Sequence, residues 1–593
     1  MDIQQAKRTI RNTFESSFDK VKFINFTKDL LNLKKEQIEH KHPYSGNFIP
    51  DAYKQSISTL ERIAKYTDGE NEIDLLIVKL RKKTSLERAR AMQRNFIAWY
   101  LKGSRGGKYK DAALVAFVSP DEEDWRFSLI KIDYRFNEEG KVDEILSSAK
   151  RWSFLVGKNE SSHTAQNQLE PILEDDQHNP TLTQLEEAFN IEKVTKEFFL
   201  KYRNLFLRTK EELDKVVEND PKVKKDFEEK GVNTVNFAKK FLGQIVFLYF
   251  LQKKGWFGVE RDGEWGTGPK NFLRQLFNKR YGNYKNFFND ILEPLFYEAL
   301  ARERDDDFYS RFNCKIPFLN GGLFEPIGGY DWVHTDINLS NELFSNRNDN
   351  YEGNGVLDIF DLFNFTVKED EPLEKEVAID PELLGKTYEK FNAIRPDNYQ
   401  EYKKALKSGR KGEENKFNKK FGVYYTPREI VHYMCQKSLI NYLHTVVNQE
   451  LRKQPVRAPK QIKHIGPKEP EQLGFHTDKE VVDKKAIEEL IKYGEQFTEN
   501  EAIALIKAQN IEEGKQKSSK TKPQLSESIR KNAKLIDAKL ADIRVCDPAV
   551  GSSAFPVGMM AEIVKARNVL SVYIKEQNRK PYDFKRECIE KSI

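Results

Sequence analysis

The stretch Asp547-Pro548-Ala549-Val550-Gly551-Ser552-Ser553-Ala554-Phe555 concentrates residue types that can hold a small ligand. It follows the short apolar run Ile543-Arg544-Val545-Cys546 and leads into Met559, Met560, Ile563 and Val564 at helical spacing. That order predicts a strand, a tight turn of small residues and a helix. Such a turn lets backbone N–H groups and a helix N-terminus approach a ligand closely. An acidic residue at the strand end can pair with a cationic or hydroxyl group on that ligand. The turn lacks Gly-Lys-Ser/Thr, which argues against a triphosphate cradle. Gly385-Lys386-Thr387 occurs elsewhere, but Asp380 stands where that cradle needs its first Gly. A ligand with an ammonium group and a ribose fits the turn better.

A second segment, Phe421-Gly422-Val423-Tyr424-Tyr425-Thr426-Pro427-Arg428-Glu429-Ile430-Val431, lies more than a hundred positions upstream. Thr426 is expected to cap a helix, with Pro427 at its first position and Glu429 completing a capping box. Ile430, Met434 and Tyr442, with Val431 and Leu439 beside them, are expected to form its apolar face.

Asp-Pro-Ala-x-Gly-Ser-x-x-Phe resembles the S-adenosylmethionine-binding motif of DNA methyltransferases that modify the exocyclic amino group of adenine. The family usually has a second Gly where this chain has Ser553. Gly-x-Tyr-Tyr-Thr-Pro before an apolar helix resembles the element that precedes the cofactor motif in the same enzymes. Three further segments resemble the large fused type IIG-like restriction–modification members: Pro317 to Glu325, Leu383 to Glu389, and Phe247 to Trp256. These three are read as scaffold, with Asn320-Gly321-Gly322 a turn and the aromatic run a buried helix ending at Gly255. The resemblance implies that Asp547 holds the methionine ammonium or nearby polar atoms. Pro548, Ala549, Gly551, Ser552 and Ser553 would form the turn, Phe555 would wall the pocket, and Tyr425, Thr426 and Pro427 would cover it. It also implies S-adenosyl-L-methionine as cofactor and double-stranded DNA as partner, with further restriction–modification domains or subunits.

The family's catalytic Asn/Asp/Ser-Pro-Pro-Tyr/Phe is not found. Asn179-Pro180-Thr181 and Asp380-Pro381-Glu382 come nearest, without the double proline or the aromatic. That tetrapeptide accepts hydrogen bonds from the target amino group and stacks its aromatic on a flipped base. One β–α unit also cannot bury an open parallel sheet by itself. The expectation is therefore a piece of a longer protein, inactive alone, and no residue is assigned as catalytic. The alternative is a non-catalytic DNA-docking or interaction scaffold, and another keeps the chemistry but moves it to RNA or protein.

At 593 residues the chain is too long for one core and suggests three or more domains. Its net charge of +6 permits nucleic-acid binding without demanding it. Cys314, Cys435, Cys546 and Cys588 are far apart, against a zinc ribbon or a disulfide framework and in keeping with a reducing cytoplasm. No run approaches the roughly 20 apolar residues that span a bilayer.

The expected fold class is multidomain α/β: a mixed α/β unit at 1–155, a polar linker at 156–180, and a mainly helical connector at 181–400. The start of a doubly wound, Rossmann-like methyltransferase sheet follows at 401–593, with a polar insertion at about 452–535. Within the first unit, Ile73–Val78, Leu114–Val118 and Trp125–Ile132 read as strands, the last two as a hairpin, and 86–101 as a helix. Metal-dependent nucleases need an Asp and then a Glu/Asp-x-Lys on adjacent strand ends. Glu72, Asp74 and Lys79 do not give that spacing, so the expectation is a degenerate nuclease-like or docking unit, with magnesium only if it is a nuclease. Asp121-Glu122-Glu123-Asp124 reads as a solvated turn, and Arg88, Arg90 and Arg94 as a charged helix face able to touch phosphate. The basic segment from Lys403 to Lys420 is the better candidate for phosphate contact.

Overall fold

The computed structural model describes residues 1–593 except 87–88, 104–106, 135–147, 320–321, 349–350, 367–372, 408–416, 418, 421–425, 454–480, 516, 519–520, 552, 575–580 and 593. The fold is mixed α/β with a helical middle, as the sequence implied.

The N-terminal unit is built on a six-stranded sheet, β1 (Ile57–Thr67), β2 (Glu72–Leu80), β3 (Ala112–Val118), β4 (Asp124–Asp133), β5 (Ser148–Gly157) and β8 (Glu374–Glu376), in the order β1-β2-β3-β4-β5-β8. A short ribbon of β6 (Phe308–Tyr309) and β7 (Cys314–Lys315) stands apart. The three expected strands and their β3–β4 hairpin form. Strands β1, β5 and β8 mix charged residues into their runs (Glu61, Arg62 and Lys65; Lys150 and Arg151; Glu374, Lys375 and Glu376) and are not marked by the sequence. β2 pairs with β3 in parallel, and β5 pairs in parallel with β8, Arg151 standing opposite Glu374 and Ser153 opposite Glu376.

Both faces of this sheet are covered, which is why β3 reads Ala-Ala-Leu-Val-Ala-Phe-Val with no polar alternation. Leu75, Leu114, Phe127 and Leu129 pack under helices α1 (Ile3–Phe14), α2 (Lys20–Leu30) and α4 (His163–Glu174). Leu76, Val115, Phe117 and Ile130 pack under α3 (Arg90–Leu101). Helix α4 corrects the polar linker expected at 156–180, because Ala165, Leu169 and Leu173 are buried in the main core.

The helical middle runs through α5 (Leu182–Ala188), α6 (Ile191–Asn219), α7 (Pro221–Lys230), α8 (Thr234–Lys253), α9 (Phe272–Phe277), α10 (Asn341–Phe344), α11 (Val356–Asp361), α12 (Pro381–Asn392) and α13 (Tyr399–Lys407). Its aromatic stripe of Phe198, Tyr202 and Phe206 joins the same core as the α1/α2 face of the sheet. Helix α8 is buried along most of its length, and Gly255 follows it in the left-handed conformation at φ +66°.

The four arginines that meet at the sheet overturn the surface reading of α3. Arg90, Arg94, Arg126 and Arg151 are buried, and so are Glu374 and Glu376 on β8. Arg151 Nε donates to Glu374 Oε2 at 2.8 Å, Arg126 Nη1 donates to Glu376 Oε2 at 3.0 Å, and Arg94 Nη1 lies 3.2 Å from Glu374 Oε1. Burial pushes Glu376 up, but Arg126 and Arg90 outweigh it and hold the carboxyl at about 2. Arg88 lies outside the described residues. In the acidic cluster 121–124, Asp124 is likewise buried, accepting from the Asn159 N–H at 3.0 Å.

The C-terminal part is a second helical core of α14 (Arg428–Lys453), α15 (Lys484–Glu512), α16 (Glu527–Lys531), α17 (Ala533–Ala541), α18 (Ala554–Ser571) and α19 (Pro581–Lys591). Two expectations change here. The polar insertion, expected to carry short helical stretches at 481–493 and 499–509, contains the single 29-residue helix α15, whose Ile487, Leu490 and Phe497 belong to this core. Residues 543–546 join no strand ladder; the Val545 N–H donates instead to the carbonyl of Ser592, just past α19, at 2.7 Å. An isolated extended segment has no partner for its backbone and takes the nearest acceptor. Helix α15 also reaches the N-terminal unit, with Lys507 Nζ 2.8 Å from Asp51 and Arg94 Nη2 3.6 Å from Glu495.

Candidate cofactor site

The turn that precedes α18 is shaped by its own short side chains. Asp547 Oδ1 accepts from the Ala549 N–H at 3.0 Å, and the Ser553 N–H donates to the Val550 carbonyl at 2.7 Å. Gly551 and Ser553 both adopt left-handed backbone, at φ +49° and +64°. The residue that departs from the resembling motif thus occupies a conformation that costs an L side chain about 1 kcal/mol and glycine almost nothing. The second carboxylate oxygen of Asp547 is buried and has no hydrogen-bond partner among the described residues.

Helix α14 starts at Arg428, one residue later than expected, because the Pro427 carbonyl already accepts from the Ile430 and Val431 N–H groups at 3.0 and 3.1 Å. Arg428 fastens this start to α12. Its Nη1 donates to Asp380 Oδ2 at 3.1 Å, and its Nε lies 3.2 Å from Glu382 Oε2. Asp380 also caps α12 by accepting from the Leu383 N–H at 2.7 Å. Burial raises the Asp380 carboxyl, with Arg428 acting in the opposite direction. Glu429, expected in a capping box, pairs with Lys375 Nζ at 2.9 Å.

The inward face of α14 is rotated from the expected one. Val431, His432, Cys435 and Leu439 are buried, while Ile430 and Met434 are 50% and 48% exposed. The reason lies on α18: a Cβ at Gly558 would come 2.6 Å from Val431 Cγ1, so only glycine admits so close a crossing. Cys435 Sγ sits 3.8 Å from the Phe555 carbonyl at the same crossing.

The two motif segments meet at this crossing. A cavity of about 130 Å³ is lined by Thr426, Val431 and His432 from one, by Ser553, Ala554, Val557 and Gly558 from the other, and by Pro381, Glu382, Gly385 and Arg428. A cleft of about 940 Å³ shares Glu382 and Arg428 with it and adds Pro427. Among the predicted residues, Thr426 and Ser553 therefore line one cavity and Pro427 the neighbouring cleft. Asp547, Pro548, Ala549, Gly551 and Phe555 line neither. Tyr425 and Ser552 lie outside the described residues.

Sequence reasoning missed His432 and Glu562, which form the floor of the crossing. His432 Nδ1 is 2.6 Å from Glu562 Oε1, and both side chains are buried. Gln436 Nε2 donates to the other Glu562 oxygen at 3.1 Å, and Lys565 Nζ lies 2.9 Å from Oε1. Burial pushes Glu562 up, but His432 and Lys565 bring its carboxyl below the ordinary value. The spacing Val431, Cys435, Leu439 would have marked the inward face on which His432 sits. Gly385, read from sequence as scaffold, also lines the cavity.

The arrangement suits a ligand with a small cationic end and a larger body. Ligand sites commonly enclose about 300–1,000 Å³, so the small cavity takes one end and the cleft has room for the rest. The partnerless Asp547 oxygen is the kind of buried acceptor that a hydroxyl or ammonium group satisfies.

Other sequence-level candidates are absorbed into structure. Asp74 accepts from the Tyr100 hydroxyl at 2.5 Å and pairs with Lys110. Among the described residues no group of three or more His, Cys, Asp or Glu is arranged to hold a metal, and no helix is long and apolar enough to cross a membrane. In the basic segment, Lys403 pairs with Glu211 at 3.1 Å and Lys420 with Glu401 at 3.8 Å, while Arg410, Lys411 and Lys416 lie outside the described residues.

A protein of Methanocaldococcus jannaschii described as a "putative type II restriction enzyme and methyltransferase" is 29% identical to this chain over 209 residues. The matched stretch is 34% of this chain and 14% of that relative, so the chain spans only a small share of its length. No family model and no solved structure matches.

Proposed function

We propose that this chain carries the S-adenosylmethionine-binding part of a DNA methyltransferase acting on the exocyclic amino group of adenine, in a restriction–modification or phage-defence system of the cytoplasm. The observation that carries this reading is the cavity common to Thr426 and Ser553, two motif segments far apart in sequence. The resemblance to a relative described as a restriction enzyme and methyltransferase supports the same class.

Bound S-adenosylmethionine supplies a methyl group on a sulfonium. The chain's residues hold and orient it. Thr426 and the start of α18 enclose one end, Asp547 offers its partnerless oxygen to a polar group, and Pro427 borders the cleft where the body lies. Double-stranded DNA is the partner in this reading. No proton or methyl transfer is assigned to a residue here, since the Pro-Pro-aromatic tetrapeptide does not occur in the 593 residues. The second reading is a DNA-docking scaffold that retains the fold without turnover.

Calorimetric titration with S-adenosylmethionine separates the two. Saturable one-to-one binding, weakened about tenfold by Asp547→Ala, supports the methyltransferase reading. No binding by the intact chain supports the scaffold.

A further inference from the structure

Helix α15 meets the N-terminal unit across a gap. The gap is a cavity of about 670 Å³, within the size range of ligand sites, and none of the described motif residues lines it. Residues 47–53 and α3 supply one wall, and α15 with residues 521–524 the other.

Three kinds of group line this space. Tyr53 and Trp99 come from the N-terminal unit, both braced on Phe96, with ring centroids 5.3 and 5.8 Å from it. Phe497 comes from α15. Gln496 and Gln524 bring side-chain amides, each a donor and an acceptor together. Gln496 Nε2 is buried without a hydrogen-bond partner among the described residues, and Gln496 also borders a smaller cavity beside α14. Arg94, Lys102 and Lys522 are the cations of the lining.

The charges favour an anion. Asp51 is the one carboxylate among the described lining residues, and Lys54 at 2.7 Å and Lys507 at 2.8 Å both hold it. Arg94 faces Glu374 at 3.2 Å and Glu495 at 3.6 Å. Glu499 accepts from the Asn95 amide at 3.4 Å; desolvation pushes its carboxyl up, and that hydrogen bond acts the other way. The lining itself thus presents more positive than negative groups. An aliphatic acid would use the cations and leave the rings idle, and an uncharged ring would do the reverse. A planar heterocycle carrying an anionic group uses the rings, the amides and the cations together.

We infer that this cavity is a binding site for a nucleoside monophosphate. The base lies against Tyr53, Trp99 and Phe497, and the phosphate lies toward Lys102 and Lys522. The site is separate from the proposed cofactor pocket and does not depend on it.

Calorimetric titration of the full chain tests this with adenosine, guanosine, cytidine and uridine monophosphates, each beside its unphosphorylated nucleoside. At least one monophosphate is expected to bind one-to-one, about tenfold more tightly than its nucleoside. Lys522→Glu, at an exposed position, is expected to weaken that monophosphate by about tenfold and leave the nucleoside unchanged. Ile503→Trp fills the space from α15 and Ala98→Trp fills it from α3, and each is expected to abolish binding of both probes. Melting temperatures report which filled variant keeps its fold, and Lys522→Glu decides if neither does. Binding by none of the monophosphates, equal binding of monophosphate and nucleoside, or binding that a folded, filled variant retains would overturn the inference. So would a short single-stranded DNA that binds where no monophosphate does, since the cavity would then serve a strand.

Discussion

The N-terminal sheet and the C-terminal helix crossing balance buried charge differently. At the sheet, four arginines and two glutamates are packed among strands and α3 with short contacts to one another. At the crossing, one buried glutamate, Glu562, is shared by His432, Gln436 and Lys565, and in the turn before α18 one Asp547 oxygen has no hydrogen-bond partner among the described residues. Four guanidinium groups against two carboxylates leave a cationic surplus inside the fold, and Arg126 Nε is buried without a hydrogen bond among the described residues. A single carboxylate shared by several donors leaves no such surplus at the crossing.

The sheet network should break most violently. Glu376→Ala leaves Arg126 and Arg90 buried beside a lost partner and is expected to destabilise the chain by about 3–5 kcal/mol in urea unfolding. Its pH dependence has a definite sign. The carboxyl sits at about 2 in the folded chain against an ordinary 4.5, so its contribution is fully present above about 4.5 and is lost as pH falls through about 2. Unfolding curves that do not steepen in that range for wild type relative to Glu376→Gln would contradict the assignment.

The crossing should respond to volume. Gly558→Ala drives a Cβ against Val431 and is expected to cost about 1–3 kcal/mol, with Val431→Ala restoring most of it in the double variant. A smaller and opposite effect is expected at the turn. Ser553→Gly relieves left-handed backbone and should stabilise by about 1 kcal/mol, read as a raised urea midpoint. The smallest effect belongs to the solvent-facing pair Lys375–Glu429, where Lys375→Ala should change stability by less than about 1 kcal/mol.

These contrasts also explain what the sequence could and could not tell. The turn and helix after Asp547 are legible because small residues and helical spacing are local signals. The β3–β4 hairpin is legible for the same reason. Arg90 and Arg94 were not, since their partners Glu374 and Glu376 arrive nearly three hundred residues later on a three-residue strand. Pattern alone makes such arginines look like a solvated face. The inward face of α14 was misjudged by one residue because Ile430 and Val431 are equally apolar. Only the absence of a side chain at Gly558, on another helix, decides which of them turns in. Likewise, the charged length of α15 hides Ile487, Leu490 and Phe497, which define its buried stripe only once α18 is beside it.

One ligand space bounded by both motif segments carries the proposed function. Hydrogen exchange with and without S-adenosylmethionine tests it most directly, following the backbone amides at 428–435 and 553–560 in one experiment. Simultaneous slowing in both windows, with the β2–β4 core unchanged, is the predicted result. Protection confined to one window, or to neither at saturating ligand, would contradict it.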